Sequence, residues 1–114
     1  MTQAMNDQLE PNTIQIATQV IIDSGNARML AYEALDAAEA GDFEVAKIKL
    51  EQAKEQIVAA HITQTEVIRS EAGGNPVQIT LLLTHAQDSL MVIMTEVQLI
   101  SRLIKMYERI LKNQ

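Results

Sequence analysis

Two strong breaks constrain what this chain can fold into: Gly41-Asp42, and the run Ala72-Gly73-Gly74-Asn75-Pro76. Glycine costs about 1 kcal/mol against alanine inside a helix and proline about 3, so such runs end helices. The stretches on either side repeat apolar residues at spacings of three and four. Ile16, Val20, Leu30 and Leu35, with Ala27, Ala31 and Ala38, set the period of a helix from Ile14 to about Ala40, and Asn12 or Thr13 is placed to cap it. Asp42 stands where a second N-cap is wanted. Phe43, Ala46, Leu50, Ala53, Ile57, Ala60, Gln64 and Val67 then carry a long second helix, and a third runs from about Val77 to Leu111. With one Phe and no Trp in 114 residues, aliphatic side chains must do the packing. Short connections make consecutive helices antiparallel. The predicted fold is therefore all-α, one antiparallel three-helix bundle over residues 14–114. Residues 1–13, polar and interrupted by Pro11, are expected to form a flexible N-terminal arm.

The third helix has more apolar surface than one bundle can cover. One stripe passes through Leu83, Leu90, Met94, Val97 and Ile104, and a second through Leu81, Val92, Leu99, Met106 and Ile110. A helix apolar nearly all round is buried all round, so the second stripe is expected to meet copies of itself in a homo-oligomer.

Composition removes several classes of function. The absence of cysteine excludes disulfides, thiolate metal sites and a thiol nucleophile. A net charge of −6 without a basic stripe argues against nucleic acid, whose phosphates are met by Lys and Arg. No segment has the roughly 18 uninterrupted apolar residues of a membrane span, and Met1–Glu10 lacks the pattern of a signal peptide. A cytoplasmic location is expected, with proteins or small ligands as partners.

Within the third helix, His85 and Asp88 interrupt the apolar pattern. Three residues apart, they share one side of the helix. A structural histidine satisfied in the core is one reading of His85. A nucleophile in a cleft between subunits is the other, since imidazole is substantially neutral at pH 7. Asp88 falls on the second stripe and would approach its symmetry mates. Hydration in an axial cavity, protonation beside its mates, pairing with Arg102 or binding of a hard cation would each relieve that crowding. Gln64, an amide at an otherwise apolar position, can orient an imidazole or a phosphate oxygen, or set helix register. His61 reads as structural, Gly25 as a notch or the close approach of a partner, and the acidic run from Glu33 to Glu44 as a solvated face.

Taken in order, Ile22-Asp23-Ser24-Gly25-Asn26-Ala27-Arg28, Glu33-Ala34-Leu35, Gly41-Asp42-Phe43, Ala60-His61 with Gln64-Thr65, and His85-Ala86-Gln87-Asp88-Ser89-Leu90-Met91 resemble one family. It is the lactose/cellobiose-type IIA component of the bacterial phosphoenolpyruvate-dependent sugar phosphotransferase system. The resemblance implies a homotrimer of three-helix bundles. It implies that His85 accepts a phosphoryl group from the histidine-containing phosphocarrier protein and passes it to a cysteine of the cognate IIB component, with the membrane IIC component reached only indirectly. It also implies that Asp88 lies on the threefold axis, where it can bind magnesium. Family members often carry a second histidine where this chain has Ser89, a hydroxyl still able to donate to a phosphate oxygen. With few cations in sight near His85, backbone amides, Gln87 or Gln64 and groups from the partner are expected to meet the phosphoryl oxygens. The alternative is a non-catalytic oligomeric helical adaptor in which His85 and Asp88 only set registry.

Overall fold

The computed structural model describes residues 2–74 and 80–114, with side chains described for 13–70, 72–74 and 80–114. Three helices follow one another: α1 (Thr2–Glu39), α2 (Phe43–Ala72) and α3 (Leu81–Lys112). No strand occurs among the described residues, and no helix there is long and apolar enough to cross a membrane.

The turn between α1 and α2 forms for the reason its sequence suggests. Gly41 takes a left-handed φ of 84°, and two backbone bonds close the helix end, Gly41 N–H to Ala38 C=O at 2.9 Å and Asp42 N–H to Ala37 C=O at 2.8 Å. That pair of bonds satisfies carbonyls the helix would leave orphaned. Asp42 then caps α2 by accepting from Val45 N–H at 3.2 Å. After α2, Gly74 again takes a positive φ, 88°. Asn75, Pro76 and Val77, the latter the expected start of the third helix, lie outside the described residues. Thr80 is extended, with φ −116° and ψ 163°, and its hydroxyl accepts from Leu83 N–H, so α3 starts at Leu81.

The first helix departs most from expectation. α1 begins at Thr2 and not at Ile14, so the backbone of 2–13 is helical where a separate arm was expected. Thr2–Glu10 contains no glycine and is rich in helix formers such as Ala4, Met5, Gln8 and Leu9. Pro11 removes only one backbone donor, and Thr13 is a buried residue within the helix and not its cap.

α1 packs extensively on both other helices, whereas α2 and α3 touch each other much less. Its inward face is built from small residues, with Ala17, Ser24, Ala27, Ala31, Ala34 and Ala38 fully buried. Ala46, Ala53 and Ala60 answer them from α2. Small contact side chains let helix axes approach toward the lower end of the usual 8–10 Å. Larger side chains come from α3, where Leu83, Leu90, Ile93, Val97, Ile100 and Ile104 are buried in two successive clusters. The larger Ile16, Leu30 and Leu35 of the expected α1 pattern only pack against the edges of those clusters.

Leu90 is fully buried. Leu90→Ala should cost about 2–5 kcal/mol in chemical denaturation. Ser24 is also fully buried, and its hydroxyl has no hydrogen-bond partner among the described residues. Ser24→Ala, measured in the same way, should leave stability unchanged or raise it by about 1 kcal/mol.

Candidate functional site

The Thr80 cap fixes where α3 begins, and so fixes which side chains its second and third turns turn outward. His85 and Asp88 are both exposed on the side facing away from the core. The His85 side chain has no hydrogen-bond or ion-pair partner among the described residues, so both ring nitrogens are open to an incoming group. Leu81, one turn earlier, is 88% exposed, and Leu82 and Met91 are exposed nearby. Ser89 follows His85 by four residues, the spacing at which helical side chains become neighbours.

Asp88 and Ser89 line a cavity of about 210 Å³ with Val92, Ile93 and, from α1, Arg28. Arg28 bonds the Glu96 carboxylate through both its Nε, at 2.9 Å, and a terminal guanidinium nitrogen. The Tyr32 hydroxyl donates to the other carboxylate oxygen at 2.9 Å. The hydrogen bond from Arg28 holds the Glu96 carboxyl below its ordinary range against the opposing effect of partial burial, and Tyr32 adds to the lowering. The same bond raises Arg28, and donation to Glu96 raises Tyr32. This group ties α1 to α3 directly beside Asp88. A cation therefore stands beside Asp88 and Ser89, in a cavity whose lining does not include His85. Its signal was the spacing of Arg28 and Tyr32, one turn apart on α1; their acceptor lies on another helix.

Neither of the two glutamines expected to support His85 makes a hydrogen bond to it among the described residues. Gln87 is half-buried and two residues from His85, a spacing at which helical side chains point to opposite flanks. Gln64 is half-buried on the inward side of α2 between Ala60 and Val67, and its buried Oε1 has no partner among the described residues. Arg102 is about four turns, or about 21 Å, further along α3 than Asp88, which excludes their pairing within one chain. Gly25 is exposed, and a Cβ built there meets nothing within 4 Å, so no neighbour in the chain requires glycine. His61 is exposed, and no group of three or more His, Cys, Asp or Glu among the described residues is gathered to hold a metal. The acidic run is partly engaged, through Glu33 with Lys49 at 3.0 Å and through the Asp42 cap.

Residues 15–108 match the model of the family described as "PTS system, Lactose/Cellobiose specific IIA subunit". The chain belongs to this lactose/cellobiose-specific IIA family. It is thus a IIA component of a sugar phosphotransferase system. It is 45% identical over 106 residues to the lichenan-specific phosphotransferase enzyme IIA component of Bacillus subtilis, covering 93% of each chain. The crystal structure of the PTS cellobiose-specific enzyme IIA from Bacillus anthracis superposes with a TM-score of 0.85 at 42% identity, over 90% of this chain and 94% of that one. The IIA(Chitobiose) protein of Escherichia coli, seen in solution in complex with HPr, matches with a TM-score of 0.75 at 39% identity, over 86% of this chain and 95% of that one.

The Arg28–Glu96–Tyr32 group gives this IIA chain a defined response to pH. Because the Glu96 pKa is depressed in the folded state, its contribution is present above the ordinary carboxylate pKa and is lost as pH falls through the lowered value. The pair lies at the surface, so the contribution is modest, under about 1 kcal/mol. Unfolding titrations should show Glu96→Gln destabilised by that much at pH 7 and indistinguishable from the parent once the pH has fallen well below the lowered Glu96 value.

Proposed function

We propose that the chain relays phosphoryl groups on His85, taking them from the histidine-containing phosphocarrier protein, HPr, and giving them to a cysteine of a cognate IIB component. The observation that supports this reading is the exposed His85 imidazole, without a partner among the described residues, on an outward face of a IIA-family chain. The E. coli relative, seen bound to HPr, supports the donor. In the first step a neutral His85 nitrogen attacks phosphorus. The new N–P bond forms as the N–P bond of the donor phosphohistidine breaks, and the electron pair returns to the donor imidazole. In the second step the IIB thiolate forms an S–P bond as the His85 N–P bond breaks, leaving His85 free.

Little in the free chain would hold the phosphoryl group tightly. The Ser89 hydroxyl is placed one turn from His85 to donate to an equatorial oxygen, and Arg28, already committed to Glu96, adds positive potential from the adjacent cavity. Weak retention suits a relay, since a phosphohistidine held firmly would not pass its cargo on.

The proposed assembly is a homotrimer joined through the outer stripe of α3. Leu81, Val92, Leu99, Met106 and Ile110 are all at least half exposed in the single chain, an apolar band that needs cover. Asp88 stands within this band, and three copies would bring three carboxylates together. Asp88 is the acidic residue lining the cavity there, so a magnesium ion would be held by Asp88 from all three copies, through oxygen and retained water. When bound, the ion would neutralise the converging charges. It has no part in phosphoryl transfer.

Three measurements test this reading. Incubation with phosphoenolpyruvate and the general phosphotransferase proteins should place acid-labile phosphate on the parent and none on His85→Gln, with the same sedimentation coefficient for both; labelling of the variant would refute the assignment. Leu99→Asp should sediment as a smaller species while keeping its helical circular dichroism, and Asp88→Asn should remove any dependence of trimer melting on magnesium.

A further inference from the structure

The groove between α2 and α3 has features that the phosphoryl relay does not use. It encloses about 450 Å³, within the range of small-ligand sites. Ile57 and Met94 contribute to its apolar floor, and Lys54, Gln98, Ser101, Arg102 and Lys105 are its polar groups. The chain has 9 Lys and Arg against 15 Asp and Glu, so a cation ordinarily finds a carboxylate. Arg28, Lys47, Lys49, Arg69 and Lys112 do so. Lys54, Arg102 and Lys105 make no ion pair among the described residues, and no acidic residue lines the groove with them. Arg102 and Lys105, three apart on one helix, repel each other as they stand. Ser101 is 8% exposed, and its side chain makes no hydrogen bond among the described residues. Its hydroxyl opens onto the groove and is free to donate to a ligand there.

We infer that this groove is a binding site for a small organic phosphate, whose charge meets Lys54, Arg102 and Lys105, whose oxygen accepts from Ser101, and whose apolar body lies on Ile57 and Met94. A dianionic headgroup suits three converging cations better than a single carboxylate does. The groove lies on the flank of α3, about a third of a turn round from the outer stripe, and is separate from His85. Its occupancy does not depend on the phosphoryl-relay reading.

Hexyl phosphate is the probe, titrated into the full chain by calorimetry and followed by amide NMR, with inorganic phosphate and hexylamine alongside. Saturable binding of hexyl phosphate is expected, with shifts confined to the facing parts of α2 and α3 and with affinity falling as salt rises. The combined Lys54→Gln, Arg102→Gln, Lys105→Gln variant should bind it at least ~tenfold more weakly, and Ser101→Ala several-fold more weakly. Both variants should keep their helical circular dichroism and be phosphorylated on His85 like the parent. Inorganic phosphate binding as well as hexyl phosphate would reveal an adventitious ion only and overturn the inference. So would the absence of saturable binding, or affinity indifferent to the three substitutions. Loss of oligomer in the triple variant, with no binding by the parent, would overturn it in favour of a contact between copies.

Discussion

The close approach of α1 and α2 is the constraint from which the rest of the structure follows. Fully buried alanines on both helices bring the two backbones together but fill little volume, so the bulk of the core is left to the leucines and isoleucines of α3. α3 carries apolar residues on two faces. One face completes the bundle, and the other, with Asp88 and His85 on or beside it, remains outside. An α1 face of leucines would hold the helices further apart and shift the positions at which α3 docks. The direction in which His85 points thus depends on alanines buried inside the bundle.

The parts of this architecture that were legible in the sequence are the local ones. Gly41 and Asp42 announce a helix end and a helix start through their own backbone and side-chain chemistry, and the structure uses both as read. The α2 series from Phe43 to Val67 is buried or half-buried at every position named. The outer stripe of α3 was legible for a related reason, since its apolar residues exceed what one partner surface can cover. The α1 core was harder to read. Weighting by size drew attention to Ile16, Leu30 and Leu35, whereas close packing selects Ala17, Ser24 and Ala34. The early start of α1 was hidden by Pro11, whose local penalty is offset by the helix formers around it.

At the site, the sequence showed what stands on α3 but not what faces it. His85 and Asp88 could be placed on one side from their spacing alone. The group formed by Arg28, Tyr32 and Glu96 could not, because its members are 64 and 68 residues apart in the chain and nothing local to either helix marks the match. Gln64 shows the reverse failure. Its amide was legible as an anomaly among apolar positions, yet the three-dimensional position of α2 turns it inward, where its Oε1 has no partner among the described residues.

The uneven sharing of contact among the helices also bears on how the chain folds and loosens. α1 and α2 are joined by a tight turn and zip together through contacts close in sequence, whereas α3 is held mainly to α1 and only thinly to α2. Contacts near in sequence form early and at low entropic cost, which makes the α1–α2 hairpin the natural nucleus and α3 the element that docks onto it. In the folded protein the thin α2–α3 seam is the line along which the bundle breathes with least loss of buried surface. The helix bearing His85 can therefore shift against α2 while the Arg28–Glu96 tie keeps its register with α1.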